Sequence, residues 1–96
     1  MPKGYWIVHI KVTVPETYRH YADVAPGIVE QLGGTYTVDA GRAETAEGDA
    51  SLDRHVVVEF PSYDAALTAF RSEAYQSIVH LRRASSVCTF TIAEGA

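Results

Sequence analysis

His9, Asp39 and Glu59 carry the side chains of this 96-residue chain best suited to moving a proton near neutral pH. An imidazole beside carboxylates exchanges a proton readily once partial enclosure shifts the balance between charged and neutral forms. His9 would act as general acid or base, and Asp39 and Glu59 would orient it or share its proton. Arg54 and Arg82 offer a cation to an enolate or carboxylate, and Tyr75 offers a hydroxyl at a pocket mouth. Ile7, Thr37 and Val57 would line the same pocket. The competing expectation is structural: an ionised network that satisfies its own hydrogen bonds and orders a subunit contact. The same set has the composition of a one-histidine, two-carboxylate metal site, but flat strands do not make three ligands converge. His20, His55 and His80 lack metal-motif spacing, so neither a metal nor a cofactor is expected.

These residues are far apart in sequence, so strands must bring them together. Tyr5 to Val12 is rich in aromatic and β-branched residues and predicts a first strand. Pro15 and Glu16 suit the start of a helix, and Gly33-Gly34 suits its end. Between them Tyr18, Tyr21, Ala22, Ala25, Ile28, Val29 and Leu32 form one apolar stripe, which Pro26-Gly27 interrupts with an expected kink. A second strand is expected from Thr35 to about Arg42, then an acidic, small-residue connection over 43–53. The third strand runs from Arg54 to Phe60, where Pro61 stops it and Ser62 caps a second helix. That helix breaks and restarts at Ser72-Glu73-Ala74-Tyr75, and Val87 to Ile92 closes the chain as a fourth strand.

The order β-α-β-β-α-β predicts one ferredoxin-like α+β domain over residues 1–96: a four-stranded antiparallel sheet with both helices on one side. Strands one and three lie in the middle, with strand two beside three and strand four beside one. Alternation then assigns the faces. Val8, Ile10, Val12, Val38, Val56, Val58, Phe60, Phe90 and Ile92 face the helices, as does Cys88. Ile7, His9, Lys11, Thr35, Thr37, Asp39, His55, Val57, Glu59, Val87, Thr89 and Thr91 face the other way. A face this mixed suits a chamber roofed by a second copy, and a homodimer is expected, since so small a domain buries too little surface alone.

Composition removes other classes of function. Eight Lys and Arg against twelve Asp and Glu give a net charge of −4, the wrong sign for general nucleic-acid binding. A single cysteine excludes an internal disulfide framework, and no apolar run approaches the roughly 20 residues of a membrane span. A cytoplasmic protein is expected. Of the other residues, Trp6, Tyr18, Tyr21 and Phe70 are expected in aromatic packing, Tyr36 towards the helices at a sheet edge, and Arg82 in a helix cap, an inter-subunit salt bridge or ligand binding.

A set of short segments carries a resemblance across nearly the whole chain: Gly4-Tyr5-Trp6-Ile7-Val8, Val12-Thr13-Val14-Pro15-Glu16, Gly33-Gly34, Val56-Val57-Val58-Glu59-Phe60-Pro61-Ser62 and Ser72-Glu73-Ala74-Tyr75-Gln76. The chain resembles the domain-of-unknown-function family 1330, within the dimeric α/β-barrel superfamily. That resemblance implies a ferredoxin-like protomer that dimerises sheet to sheet. The family resemblance implies no settled activity; if the chain is an enzyme, the superfamily resemblance implies cofactor-independent chemistry on a hydrophobic, oxygenated metabolite: oxygenation, isomerisation, cyclisation or dehydration. A non-catalytic scaffold or stress-related protein, whose sheet face serves only as the dimer contact, is the alternative. Asp39-Ala40-Gly41 departs from the family pattern, in which an arginine precedes two glycines.

Overall fold

Every second residue of β1 (Gly4–Val12) is buried or nearly so, because its apolar side chains alternate with Tyr5, Ile7, His9 and Lys11. The computed structural model describes residues 1–96. After β1 come α1 (Pro15–Gln31), β2 (Thr35–Asp39), β3 (Arg54–Phe60), α2 (Tyr63–Arg71), α3 (Glu73–Gln76), α4 (Val79–Ser85) and β4 (Ser86–Glu94). The strands form one antiparallel sheet in the order β2-β3-β1-β4, so the expected ferredoxin-like α+β topology is present, with β1 and β3 central. No helix is long and apolar enough to cross a membrane.

Local chemistry sets the helix limits. Pro15 opens α1 where no amide donor is needed, and Gly33, at φ +94°, turns the chain out of it. The helix continues unbroken through Pro26. Ser62 caps α2 by accepting from the Ala65 amide at 3.0 Å. Ser72 then divides the expected second helix: its Oγ donates to the Ala69 carbonyl at 2.7 Å and accepts from the Tyr75 amide at 3.2 Å. One side chain thus closes α2 and opens α3.

β2 differs from expectation in length and in register. It ends at Asp39, beyond which Ala40 adopts a left-handed φ of 57°. Its pairing with β3 shifts between Tyr36, opposite Val58, and Val38, opposite Val57, so Thr37 is the extra residue of a bulge. The slip moves the following side chains to the opposite face. Val38, expected among the helix-facing core, is therefore 43% exposed.

The core lies between the sheet and the helix layer. Trp6, Val8, Ile10, Val29, Val58, Phe60, Ala66, Tyr75 and Val79 are its buried centre. Gly34 marks its tightest point: a Cβ there would meet Val29 Cγ1 at 2.6 Å and both Phe60 Cζ and Val58 Cγ1 at 2.9 Å. Gly27, in the exposed turn of α1, would meet nothing within 4 Å. Overpacking should make Gly34→Ala destabilising by about 1–3 kcal/mol. Gly27→Ala should stabilise by up to about 1 kcal/mol through helix propensity. Urea unfolding midpoints that move in opposite directions at an unchanged slope are the expected result.

Candidate functional site

The open face of the sheet carries His9, as expected, but separates it from its intended partners. β1 and β3 pair His9 with His55 and Tyr5 with Glu59. His9 Nδ1 and His55 Nδ1 lie 2.8 Å apart, so one ring donates an N–H and the other accepts. Glu59 accepts from the Tyr5 hydroxyl at 3.1 Å, and that contact raises the phenol's pKa. Glu59 is four residues along β3 from His55, about 13 Å at the rise of a strand. Ile7 and Val57 face each other on this side, and Thr37 donates to the Val57 carbonyl at 3.2 Å. The expected convergence of His9, Asp39 and Glu59 does not occur, for two reasons. Strand register keeps Glu59 away, and the Thr37 bulge sends Asp39 to the other face, opposite Val56. No three His, Cys, Asp or Glu side chains cluster closely enough to hold a metal ion.

Asp39 instead lines a cavity of about 90 Å³ between the sheet and α1. Trp6, Val8 and Ile10 of β1, Val56 and Val58 of β3, and Phe90 of β4 form its floor. Tyr18, Tyr21, Ala22, Ala25 and Pro26 of α1 cover it, and Tyr36 closes one side. Besides Asp39, the charged residues in its lining are Arg54 and Arg82. The structure thus gathers Asp39, Arg54 and Arg82 at one place and leaves His9, Glu59, Ile7, Thr37 and Val57 on the far side of the sheet. Tyr75, expected at a pocket mouth, is fully buried behind the cavity, with its hydroxyl 2.5 Å from that of Tyr21.

Arg82 is 4% exposed, so it serves neither as a surface cap nor in an inter-subunit salt bridge. Its Nη1 donates to Cys88 Sγ at 2.8 Å, and its guanidinium stacks 5.1 Å from the Phe90 ring centre. Burial works against its charge, but the neighbouring Tyr75, Cys88 and Tyr21 outweigh that and raise its pKa, so it stays cationic. Arg54 stacks 5.1 Å from the Tyr18 ring centre. The Nε atoms of both arginines are buried and have no hydrogen-bond partner.

Three tyrosines expected only in packing or at an edge, Tyr18, Tyr21 and Tyr36, also line the cavity. The apolar stripe of α1 contained the signal, since Tyr18 and Tyr21 are one turn apart and each brings a hydroxyl to an otherwise apolar face. Desolvation raises the pKa of all three, although Arg54 partly offsets it at Tyr18. Each is therefore a neutral hydrogen-bond donor at physiological pH. An unfolded phenol ionises near pH 10. Above that pH the unfolded chain releases protons that the folded chain retains, so the stability these groups contribute is complete below about pH 10 and falls beyond it. Absorbance at 295 nm and circular dichroism should then change together at high pH, and Tyr21→Phe should flatten the loss of stability.

No curated protein matches the chain. Among solved structures, a protein of unknown function from Rhodopseudomonas palustris superposes with a TM-score of 0.78 at 17% identity, covering 99% of this chain and 83% of that one. SnoaB, a cofactor-independent oxygenase from Streptomyces nogalater, superposes with a TM-score of 0.64 at 16% identity, covering 100% and 95%. A protein of the ethyl tert-butyl ether d (EthD) family from Bacillus halodurans gives 0.64 at 11% identity, covering both chains completely. At such identities the likeness is one of fold alone. The model of DUF1330, a domain of unknown function, matches residues 3–96, and the chain belongs to that family.

Proposed function

We propose that this chain is a homodimeric small-molecule-binding protein that performs cofactor-independent acid–base chemistry on a small, hydrophobic, oxygenated metabolite. The cavity between α1 and the sheet holds the metabolite, and the open sheet face joins two copies. The observation that carries the proposal is an apolar, aromatic-walled cavity with a few polar groups converging on it, the usual composition of a ligand site. The Tyr36 hydroxyl and the two guanidiniums are donors, suited to a carbonyl oxygen that gains negative charge. Asp39 is the one carboxylate in the lining and the one group there suited to accept a proton. Removal of a proton beside a carbonyl, with the enolate oxygen held by these donors, is the step this set can perform. SnoaB lends support as a cofactor-independent oxygenase built on the same fold.

The dimer is supported by the apolar content of the open face, where Val38, 43% exposed, lies opposite Val57 next to Ile7, and Val87, 59% exposed, lies opposite Lys11. Face-to-face packing would cover these side chains and place the His9–His55 pair at the seam. Light scattering at micromolar concentration should give twice the 10.5 kDa protomer mass. Val57→Glu should return it to the protomer mass, and a wild-type protein that is monomeric already would remove this part of the proposal.

Trp6, the sole tryptophan, lines the cavity and reports on its contents. Cyclohexanone, a neutral probe of suitable size, should shift Trp6 emission saturably. Ala22→Phe, which fills the cavity from α1, should abolish the shift. An emission that stays unmoved by any small organic probe would favour the scaffold alternative.

A further inference from the structure

We infer that the ligand of the cavity is a small monocarboxylic acid, bound as its anion with Arg82 as the anchor. This rests on the cavity being the ligand site, and it goes further by naming the charge and size of the occupant. Arg82 is 96% removed from solvent by its 4% exposure, yet its partners are a cysteine sulfur, an aromatic face and a phenol. A buried cation normally has an anion beside it, because losing hydration is costly unless an opposite charge replaces it. Here the matching anion is missing from the side chains around Arg82, and the guanidinium Nε keeps an unspent N–H. Arg54 is half-buried, with an aromatic face beneath it and an unpartnered Nε, and shares the lining with Asp39.

The surroundings exclude the other charge types. Tyr36 is held protonated by burial and presents a donor to a ligand oxygen, while the Tyr21 hydroxyl is hydrogen-bonded to that of Tyr75. Asp39 stands exposed at the end of β2, so an acceptor guards the mouth and donors fill the interior. An ammonium group would meet two cations inside, whereas a carboxylate is an acceptor only and matches the planar guanidinium fork. A phosphate has the right sign but no hydrocarbon for the walls supplied by Val8, Ile10 and Phe90. Size sets the remaining limit. One water needs roughly 10–15 Å³ of such space, so the cavity of about 90 Å³ takes about six to nine non-hydrogen atoms.

Four probes of similar bulk or opposite charge separate the possibilities by titration of Trp6 emission: cyclohexanecarboxylate, cyclohexanone, cyclohexylamine and inorganic phosphate. The acid should bind at least about tenfold more tightly than the ketone, and the amine and phosphate should leave the emission unchanged. Arg82→Met should remove the acid's advantage, and Arg82→Lys, which keeps the charge without the fork, should restore part of it. Should Arg82→Met fail to fold by circular dichroism, Arg54→Met provides a second variant, expected to weaken the acid severalfold. The wild-type ranking needs no variant at all. Acid binding no tighter than ketone binding would overturn the carboxylate assignment and leave the cavity as the ligand site. Phosphate competing with the acid at equal concentration would overturn it in favour of an inorganic-anion site. If none of the four probes moves Trp6 emission, the ligand-site reading and the carboxylate assignment both fail.

Discussion

Trp6 is the contact on which the rest of the structure depends. Its indole N–H donates to the Ala66 carbonyl at 2.8 Å, a bond that ties the central strand β1 to the middle of α2. Around the ring stand Tyr75 at 4.8 Å, Phe60 at 4.9 Å, Phe90 at 5.2 Å and Phe70 at 6.2 Å between centroids, in tilted or edge-on arrangements. One side chain therefore joins β1, β3, β4 and the helix layer. In a chain this short, with little core to spare, such a cluster sets the distance between sheet and helices. The cavity lies beside it because Ala22 and Ala25 of α1 are too small to fill the space opposite Val8 and Ile10.

The two faces of the sheet consequently have different tasks. The helix-facing side holds nearly all the buried apolar surface, together with two arginines whose Nε atoms have no hydrogen-bond partner. The open side holds His9 against His55 and Tyr5 against Glu59, polar pairs that satisfy each other across strands and so tolerate partial enclosure. Proton-active residues sit on both sides, but apolar walls and unspent donors coincide only on the helix side. Buried polar groups with unused hydrogen bonds are costly to maintain, which is why their concentration at one cavity carries functional meaning.

The bulge at Thr37 links the two faces. An unbroken β2 would show Asp39 to the open side and Val38 to the core. One extra residue exchanges them, leaving a valine 43% exposed and giving the cavity its one carboxylate. Asp39 therefore places a negative charge at the mouth, while Arg54 and Arg82 bring positive charge to the lining.

Topology, strand order and most of the core were legible in the residue pattern. Period-two alternation in Trp6, Val8, Ile10 and Val56, Val58, Phe60 leaves one way to bury both strands, and Pro15, Gly33 and Ser62 act through local backbone geometry that needs no distant partner. The candidate site was legible only in part. Arg54 and Arg82 were recognisable as cations for a ligand, but alternation alone grouped Asp39 with His9 and Glu59. A bulge arises from how two strands pair, not from the strand's own residues, so nothing within Thr35–Asp39 announces it. The burial of Arg82 is likewise a tertiary outcome: a helix-end arginine ordinarily reaches water, and here α4 packs against α1 closely enough to turn it onto Phe90. The sequence by itself determined the sheet, the helices and the residues able to do chemistry. Only the packing of α1 and α4 over the slipped strand decided which of them share a cavity, because that depends on register and on interlayer distance rather than on any local preference.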